Sequence, residues 1–175
     1  MWDRFDEIDF DKLPDRFVLK TNHGAGWNYI VQDKRQLCAE RNELNAQLSQ
    51  PLTQTELNFT YYQGGLELQY EHIQPKIIAE QFIENDGGDL YDYKLCCFDG
   101  EPKVIIYIMN RYVDADERII CFDTDWNVLP FNLFTPLEQP DDIPRPKNLE
   151  KMVEVARTLS QGIPFVRVDL YALND

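Results

Sequence analysis

Residues 17 to 31 most constrain what this chain can fold into. Phe17-Val18-Leu19-Lys20 reads as a short buried strand, Thr21-Asn22-His23-Gly24-Ala25-Gly26 as a loop, and Asn28-Tyr29-Ile30-Val31 as a returning strand. Strand, glycine-rich turn and strand make a hairpin whose tip can fold over a phosphate chain. Backbone N–H groups in such a turn face inward as an anion nest. Lys20 at its base supplies a point charge for phosphate oxygens. Far along the chain, Arg167 and Asp169 alternate on the predicted strand Phe165-Val166-Arg167-Val168-Asp169-Leu170-Tyr171. A period of two puts both on one face. A cation for a phosphoryl or acyl oxyanion beside a carboxylate for Mg²⁺ is what ATP-driven chemistry needs.

The remaining pattern argues an α+β fold. Asp33 to Leu48 reads as a helix, with Asp33 and Gln36 as a capping box and Leu37, Leu44 and Leu48 on one face. Gln50 to Gly65 is polar and turn-rich and is expected to be a flexible connection. Lys76 to Ile83, Leu90 to Phe98, Val104 to Met109 and Arg118 to Phe122 read as strands, with turns at Asp86-Gly87-Gly88 and Asp99-Gly100. Asn132 to Lys147 holds four of the ten prolines and is expected to cross as a loop. Asn148 is placed as the cap of a second helix, with Leu149, Met152, Val153, Ala156 and Leu159 as its apolar stripe and Gly162 as its stop. Antiparallel hairpins with two amphipathic helices do not make a doubly wound parallel sheet.

Composition narrows the partners. The 175 residues carry 31 Asp and Glu against 17 Lys and Arg, a net charge of −14. Such a surface repels nucleic-acid backbones and anionic lipid, so neither is expected as a partner. An ATP site in that field needs its own basic residues, which singles out Lys20, Lys94 and Arg167. The four cysteines (Cys38, Cys96, Cys97, Cys121) lack zinc spacing and read as reduced packing residues. No signal peptide or membrane-length apolar run is visible, so a cytoplasmic location is expected.

Four stretches, in order, resemble the TupA-like branch of the ATP-grasp superfamily, whose proteins act on cell-surface polysaccharides. They are Leu13 to Asn28, Pro75 to Glu80, Asp92-Tyr93-Lys94 with Cys97-Phe98-Asp99-Gly100, and Val166 to Tyr171. The resemblance implies two small lobes with antiparallel sheets and amphipathic helices, enclosing a nucleotide cleft. It divides the chain into a lead-in segment at 1–15, a glycine-turn lobe at 16–83 and a second lobe with the metal strand at 84–175. It implies ATP contacts at Lys20, at the lid turn His23, Gly24, Ala25 and Gly26, and at the hinge Glu80, Gln81, Phe82 and Ile83. Asp92 and Lys94 join the nucleotide-binding set, Arg167 steadies the transferred phosphoryl group, and Asp169 holds Mg²⁺. The implied reaction joins a carboxylate-bearing sugar or amino acid to an amine through an acyl phosphate. The family carries a further basic residue upstream of the turn and a second metal-binding acid after the Asp169 strand. Neither falls within this sequence, so a fragment missing pieces at both ends is expected, with a non-catalytic nucleotide-binding remnant as the competing reading.

Each residue also has a plainer reading. Lys20 is a strand end, and His23 is a hydrogen-bonding loop residue. Glu80 needs a partner, either a ribose hydroxyl or a structural pair with Lys94. Asp92 and Lys94 are equally readable as a cross-strand salt bridge, and Asp169 as a partner of Arg167 alone. Asp114-x-Asp116 and Asp123-x-Asp125 match the Asp-x-Asp of some Mn²⁺-dependent glycosyltransferases, which keeps that activity as a third reading. Asp123-x-Asp125-x-Asn127 is no calcium loop, because Val128 and Phe134 stand where its glycine and bidentate Glu belong.

Overall fold

A computed structural model describes residues 1–24, 28–53, 70, 72–83, 90–109, 117–131 and 143–173. The chain divides into two compact units, Met1–Ile83 and Glu84–Asp175.

The first unit is built on a three-stranded antiparallel sheet of order β2-β1-β3, formed by β1 (Phe17–Thr21), β2 (Asn28–Val31) and β3 (Ile77–Gln81). Alternation along β1 buries Phe17, Leu19 and Thr21 and turns Val18 and Lys20 to the other face. The buried row packs with Leu37, Leu44 and Leu48 of helix α1 (Leu37–Thr53), spaced to share one helix face. Phe5 and Ile8, from the acidic first 15 residues, complete this core, and Trp2 exchanges two backbone hydrogen bonds with Ile77 at 3.0 and 2.8 Å.

Helix α1 departs from the sequence expectation at both ends. Asp33 does accept a cap bond from the Arg35 N–H, but the turn it caps is a 3₁₀ turn, Lys34–Gln36, and the α-helix begins only at Leu37. At its far end the helix continues to Thr53, because burial of Leu44 and Leu48 carries it past the composition break at Gln50. The rest of the expected connection, 54–65, lies outside the described residues, as do the turn at 86–88 and the loop at 132–142.

The second unit is a four-stranded antiparallel sheet of order β6-β5-β4-β7 with one helix against it. Its strands are β4 (Asp92–Phe98), β5 (Glu101–Met109), β6 (Arg118–Phe122) and β7 (Phe165–Tyr171). Helix α2 (Leu149–Leu159) lays Leu149, Met152 and Ala156 on Tyr93, Leu95, Cys97, Ile105, Tyr107 and Val168. Asn148 stands at the N-cap position, yet its side chain makes no cap hydrogen bond; its backbone carbonyl takes the Met152 N–H at 2.9 Å. The β4–β5 hairpin closes through Asp99 (φ 49°) and Gly100 (φ 83°), the left-handed pair that a tight Asp-Gly hairpin requires. Cys97 and Cys121 are buried and Cys96 half-buried, all three as free thiols.

Candidate functional site

Each unit carries one cluster of the residues singled out from the sequence. In the first unit, Lys20 projects from the sheet face opposite the core. Across the β1–β3 register, where Lys20 faces Ile78 and Val18 faces Glu80, its Nζ reaches Glu80 Oε1 at 2.5 Å. Glu80 therefore finds a cation partner in Lys20. Both side chains are substantially exposed. An exposed pair contributes only about 0–1 kcal/mol, so a phosphate oxygen can take over the ammonium at small cost.

One row further along the same face, the Arg16 guanidinium lies 4.1 Å from the centroid of the Phe82 ring and donates to Gln32 Oε1 at 3.1 Å. Phe82 thus stands beside a cation, an attraction worth about 0.5–1 kcal/mol at an exposed site. Gln81 ends β3 and is exposed, and Ile83 is exposed beyond it. Arg16, Glu80 and Lys20 follow one another along this face over the four residue steps from Arg16, just before β1, to Lys20, roughly 13 Å.

The stem of the glycine turn differs from the expectation. His23 is 2% exposed, so its side chain is packed into the first unit and is not a tip residue. Asn22 is tied down by its backbone and its side chain to Gln74 and Lys76. Gly24 is half-buried at the described limit of the turn, and Ala25 and Gly26 lie outside the described residues. Sequence reasoning missed Asn22 and Arg16. An Asn directly after a strand was the available signal, because its side-chain amide readily imitates a peptide group.

In the second unit, four charges of alternating sign share the sheet face opposite α2. Register pairs Lys94 with Asp169 and Cys96 with Arg167 across β4 and β7. Lys94 Nζ lies 2.7 Å from Asp92 Oδ2 and 2.9 Å from Asp169 Oδ2. Arg167 grips the same carboxylate with two hydrogen bonds, Nε to Oδ1 at 2.7 Å and an Nη to Oδ2 at 2.9 Å. The Asp92 side chain is 4% exposed and that of Asp169 40%, so one carboxylate is interior and the other opens to solvent. Partial burial pushes the Asp169 carboxyl up, but the hydrogen bonds from Arg167 and Lys94 outweigh it and hold the group below the usual carboxylate range. The bond to Asp169 likewise raises Arg167.

The Asp-x-Asp pairs do not form a comparable cluster. Asp114 and Asp116 lie outside the described residues. Asp123 closes a turn: its carboxylate takes the backbone N–H groups of Asp125 and Asn127 at 2.9 and 2.8 Å and the Asn127 amide at 2.8 Å. Desolvation opposes ionisation of Asp123, and the Asn127 and Asp125 bonds overcome it, so its carboxyl is also held low.

Lys20 on one sheet and the Arg167–Asp169 strand on the other belong to a chain that one family model matches throughout. The TupA-like ATP-grasp family model covers residues 1–175, the whole chain. The chain belongs to the TupA-like ATP-grasp family. No curated protein and no solved structure matches it. Membership makes this an ATP-grasp domain of ligase type with an α+β fold, and the two antiparallel sheets agree with that. The family uses ATP and Mg²⁺ and acts on carboxylates. Among the described residues of this ATP-grasp domain, no helix is long and apolar enough to cross a membrane.

The donor set at Asp169 fits one bond to Mg²⁺. Its carboxylate is held ionised, and among the described residues Oδ1 receives one hydrogen bond, from Arg167 Nε, where an oxygen accommodates about two. Among the described residues no three His, Cys, Asp or Glu side chains gather to hold a metal. Mg²⁺ at this place would complete its shell from water and nucleotide phosphates, as it commonly does.

Proposed function

We propose that this domain binds ATP and activates a carboxylate as its acyl phosphate for capture by an amine, with Lys20 as a phosphate contact, Arg167 as the group that steadies the transferred phosphoryl and Asp169 as the Mg²⁺ ligand. The observation that carries this reading is the Asp92–Lys94–Asp169–Arg167 network, with Arg167 and Asp169 on one exposed strand face. In the reaction a carboxylate oxygen bonds to the γ-phosphorus as the bond to ADP breaks. The amine nitrogen then bonds to the acyl carbon, inorganic phosphate leaves, and the amine proton passes to solvent. Charge builds on the transferred phosphoryl oxygens, and a preorganised guanidinium at Arg167 is suited to stabilise it. Mg²⁺, when bound, neutralises phosphate charge, and Asp169 is the residue that would hold it.

The proposed roles extend to the remaining residues as follows. Glu80 exchanges Lys20 for a ribose hydroxyl when phosphate claims the lysine. Gln81, Phe82 and Ile83 line the base. Lys94 helps hold the Asp169 carboxylate ionised and is placed to reach a phosphate oxygen, while Asp92 anchors Lys94. His23 and Gly24, with Ala25 and Gly26, are the proposed phosphate contacts of the glycine turn. The proposed setting is the synthesis of a cell-surface polysaccharide such as a teichuronopeptide, capsule or O-antigen. There a uronic acid or an amino acid supplies the carboxylate. This setting is supported by the family to which the chain belongs.

Calorimetry with ATP, ADP and adenosine, each with and without Mg²⁺, tests the nucleotide part. ADP release in the presence of a uronate and an amine tests the chemistry. Absence of any heat with ATP at millimolar concentration would end the proposal.

A further inference from the structure

The described ladder between β1 and β3 ends at the pair Thr21 and Ile77. The next residue, Asn22, leaves the sheet toward the glycine turn, yet the segment leading into β3, Gln74, Pro75 and Lys76, lies opposite it. Its backbone groups need partners that a departing chain does not supply. Asn22 supplies three. Its N–H donates to the Lys76 carbonyl at 3.1 Å, its side-chain Oδ1 accepts the Lys76 N–H at 2.7 Å, and its Nδ2 donates to the Gln74 carbonyl at 3.1 Å. The side-chain amide acts as an extra peptide group and adds a rung where the main chain has turned away. The requirement is specific. Aspartate has no donor for the Gln74 carbonyl, serine is too short to reach both groups, and glutamine places its amide one methylene too far.

We propose that Asn22 is a positioning residue that fixes the end of β1 carrying Lys20, so that the ammonium meets phosphate oxygens without a search. This rests on the reading of Lys20 as a phosphate contact. Lys20 is two residues before Asn22, on a strand whose other neighbour is the β2 arm of the same hairpin. With the Asn22 rung in place, the strand is held by β2 as far as Lys20 and, on the β3 side, up to the residue where it turns. Without it, Lys76 N–H and the Gln74 carbonyl open to water, and the last row of β1 frays.

The test is a double-mutant cycle between Lys20→Ala and Asn22→Ala, read by calorimetry with ATP and with adenosine. Asn22→Ala is expected to weaken ATP binding about tenfold and to leave adenosine within twofold. On the Lys20→Ala background it is expected to cost ATP nothing further. Amide exchange at Lys76 is expected to quicken in Asn22→Ala, because its acceptor is gone. Equal losses for ATP and adenosine, additive losses in the cycle, or no loss at all overturns the proposal. If Lys20→Ala itself leaves ATP binding unchanged, the phosphate reading fails and this inference falls with it. Should Asn22→Ala fold poorly, Asn22→Ser, read by the same ratio and the same cycle, decides the matter.

Discussion

Lys20 and Glu80 hold each other diagonally across β1 and β3, Nζ to Oε1 at 2.5 Å, on the face of the first unit's sheet that its core does not use. A ligand that claims the ammonium must release the carboxylate, so the two side chains are expected to answer differently to different parts of a nucleotide. Lys20→Ala should weaken ATP binding by about 1.5–3 kcal/mol, the range for a hydrogen bond to a charged group, and leave adenosine nearly unchanged. Glu80→Gln should tighten binding of inorganic triphosphate a few-fold by freeing Lys20, and weaken adenosine. Titration of both variants with the three ligands checks this, and a parallel response of all ligands to both substitutions counts against it.

Asp169 ties Lys94 and Arg167 together, so Asp169→Asn removes the one solvent-facing carboxylate of the network. Binding of ATP in excess Mg²⁺ should fall toward the metal-free value, while metal-free binding changes little. A Mg²⁺-dependent increment that survives intact would show that another carboxylate holds the metal.

The same residue has a pH signature. The folded-state pKa of Asp169 lies below its unfolded value, through Arg167 and Lys94 acting against partial burial. Its contribution to stability is therefore complete above the unfolded value, about 3.9, and is lost as pH falls through the lower folded one. Wild type and Asp169→Asn should differ in melting temperature at neutral pH and converge below about pH 4. Thermal melts across that range read the difference, and a constant gap would mean that the network does not set the shift.

Thr21 offers a stability test in the first unit. Its hydroxyl is buried, with no hydrogen-bond partner among the described residues. Valine keeps the branched shape and removes the polar atom. Thr21→Val should raise stability by about 1 kcal/mol, or roughly 2–4 °C in melting temperature for a chain of this size. A fall would place a water or a further protein group on the hydroxyl.

What the sequence disclosed follows the range of the interactions involved. The Asp99-Gly100 hairpin and the Leu149-Met152-Ala156 stripe depend on neighbours a few residues away, and both stand where the pattern puts them. The limits of α1 do not, because Leu44 and Leu48 are held by Phe17 and Leu19 from a different part of the chain. Charge pairing was the least legible. Glu80 had an obvious need for a cation, but which lysine meets it depends on how β3 registers against β1, and no local spacing states that. On β4 and β7, period two did place Asp92 with Lys94 and Arg167 with Asp169 on one face. The link between the two strands through Lys94 needed the register of the sheet. Asn22 was passed over because an Asn beside glycines reads as turn filler until its opposite strand is known.

The aromatic group on the α2 side of the second sheet has a practical consequence. Trp126 stacks on Phe122 at 4.0 Å with the rings 1° from parallel, and its indole N–H reaches the Ile143 carbonyl at 3.3 Å. The other two tryptophans of the chain, Trp2 and Trp27, both belong to residues 1–83. Emission from Trp126 alone, in a chain whose other two tryptophans are replaced by phenylalanine, therefore reports the unfolding of the second unit separately from the first. Denaturant curves recorded this way would reveal whether the half that carries Arg167 and Asp169 melts together with the half that carries Lys20 or on its own.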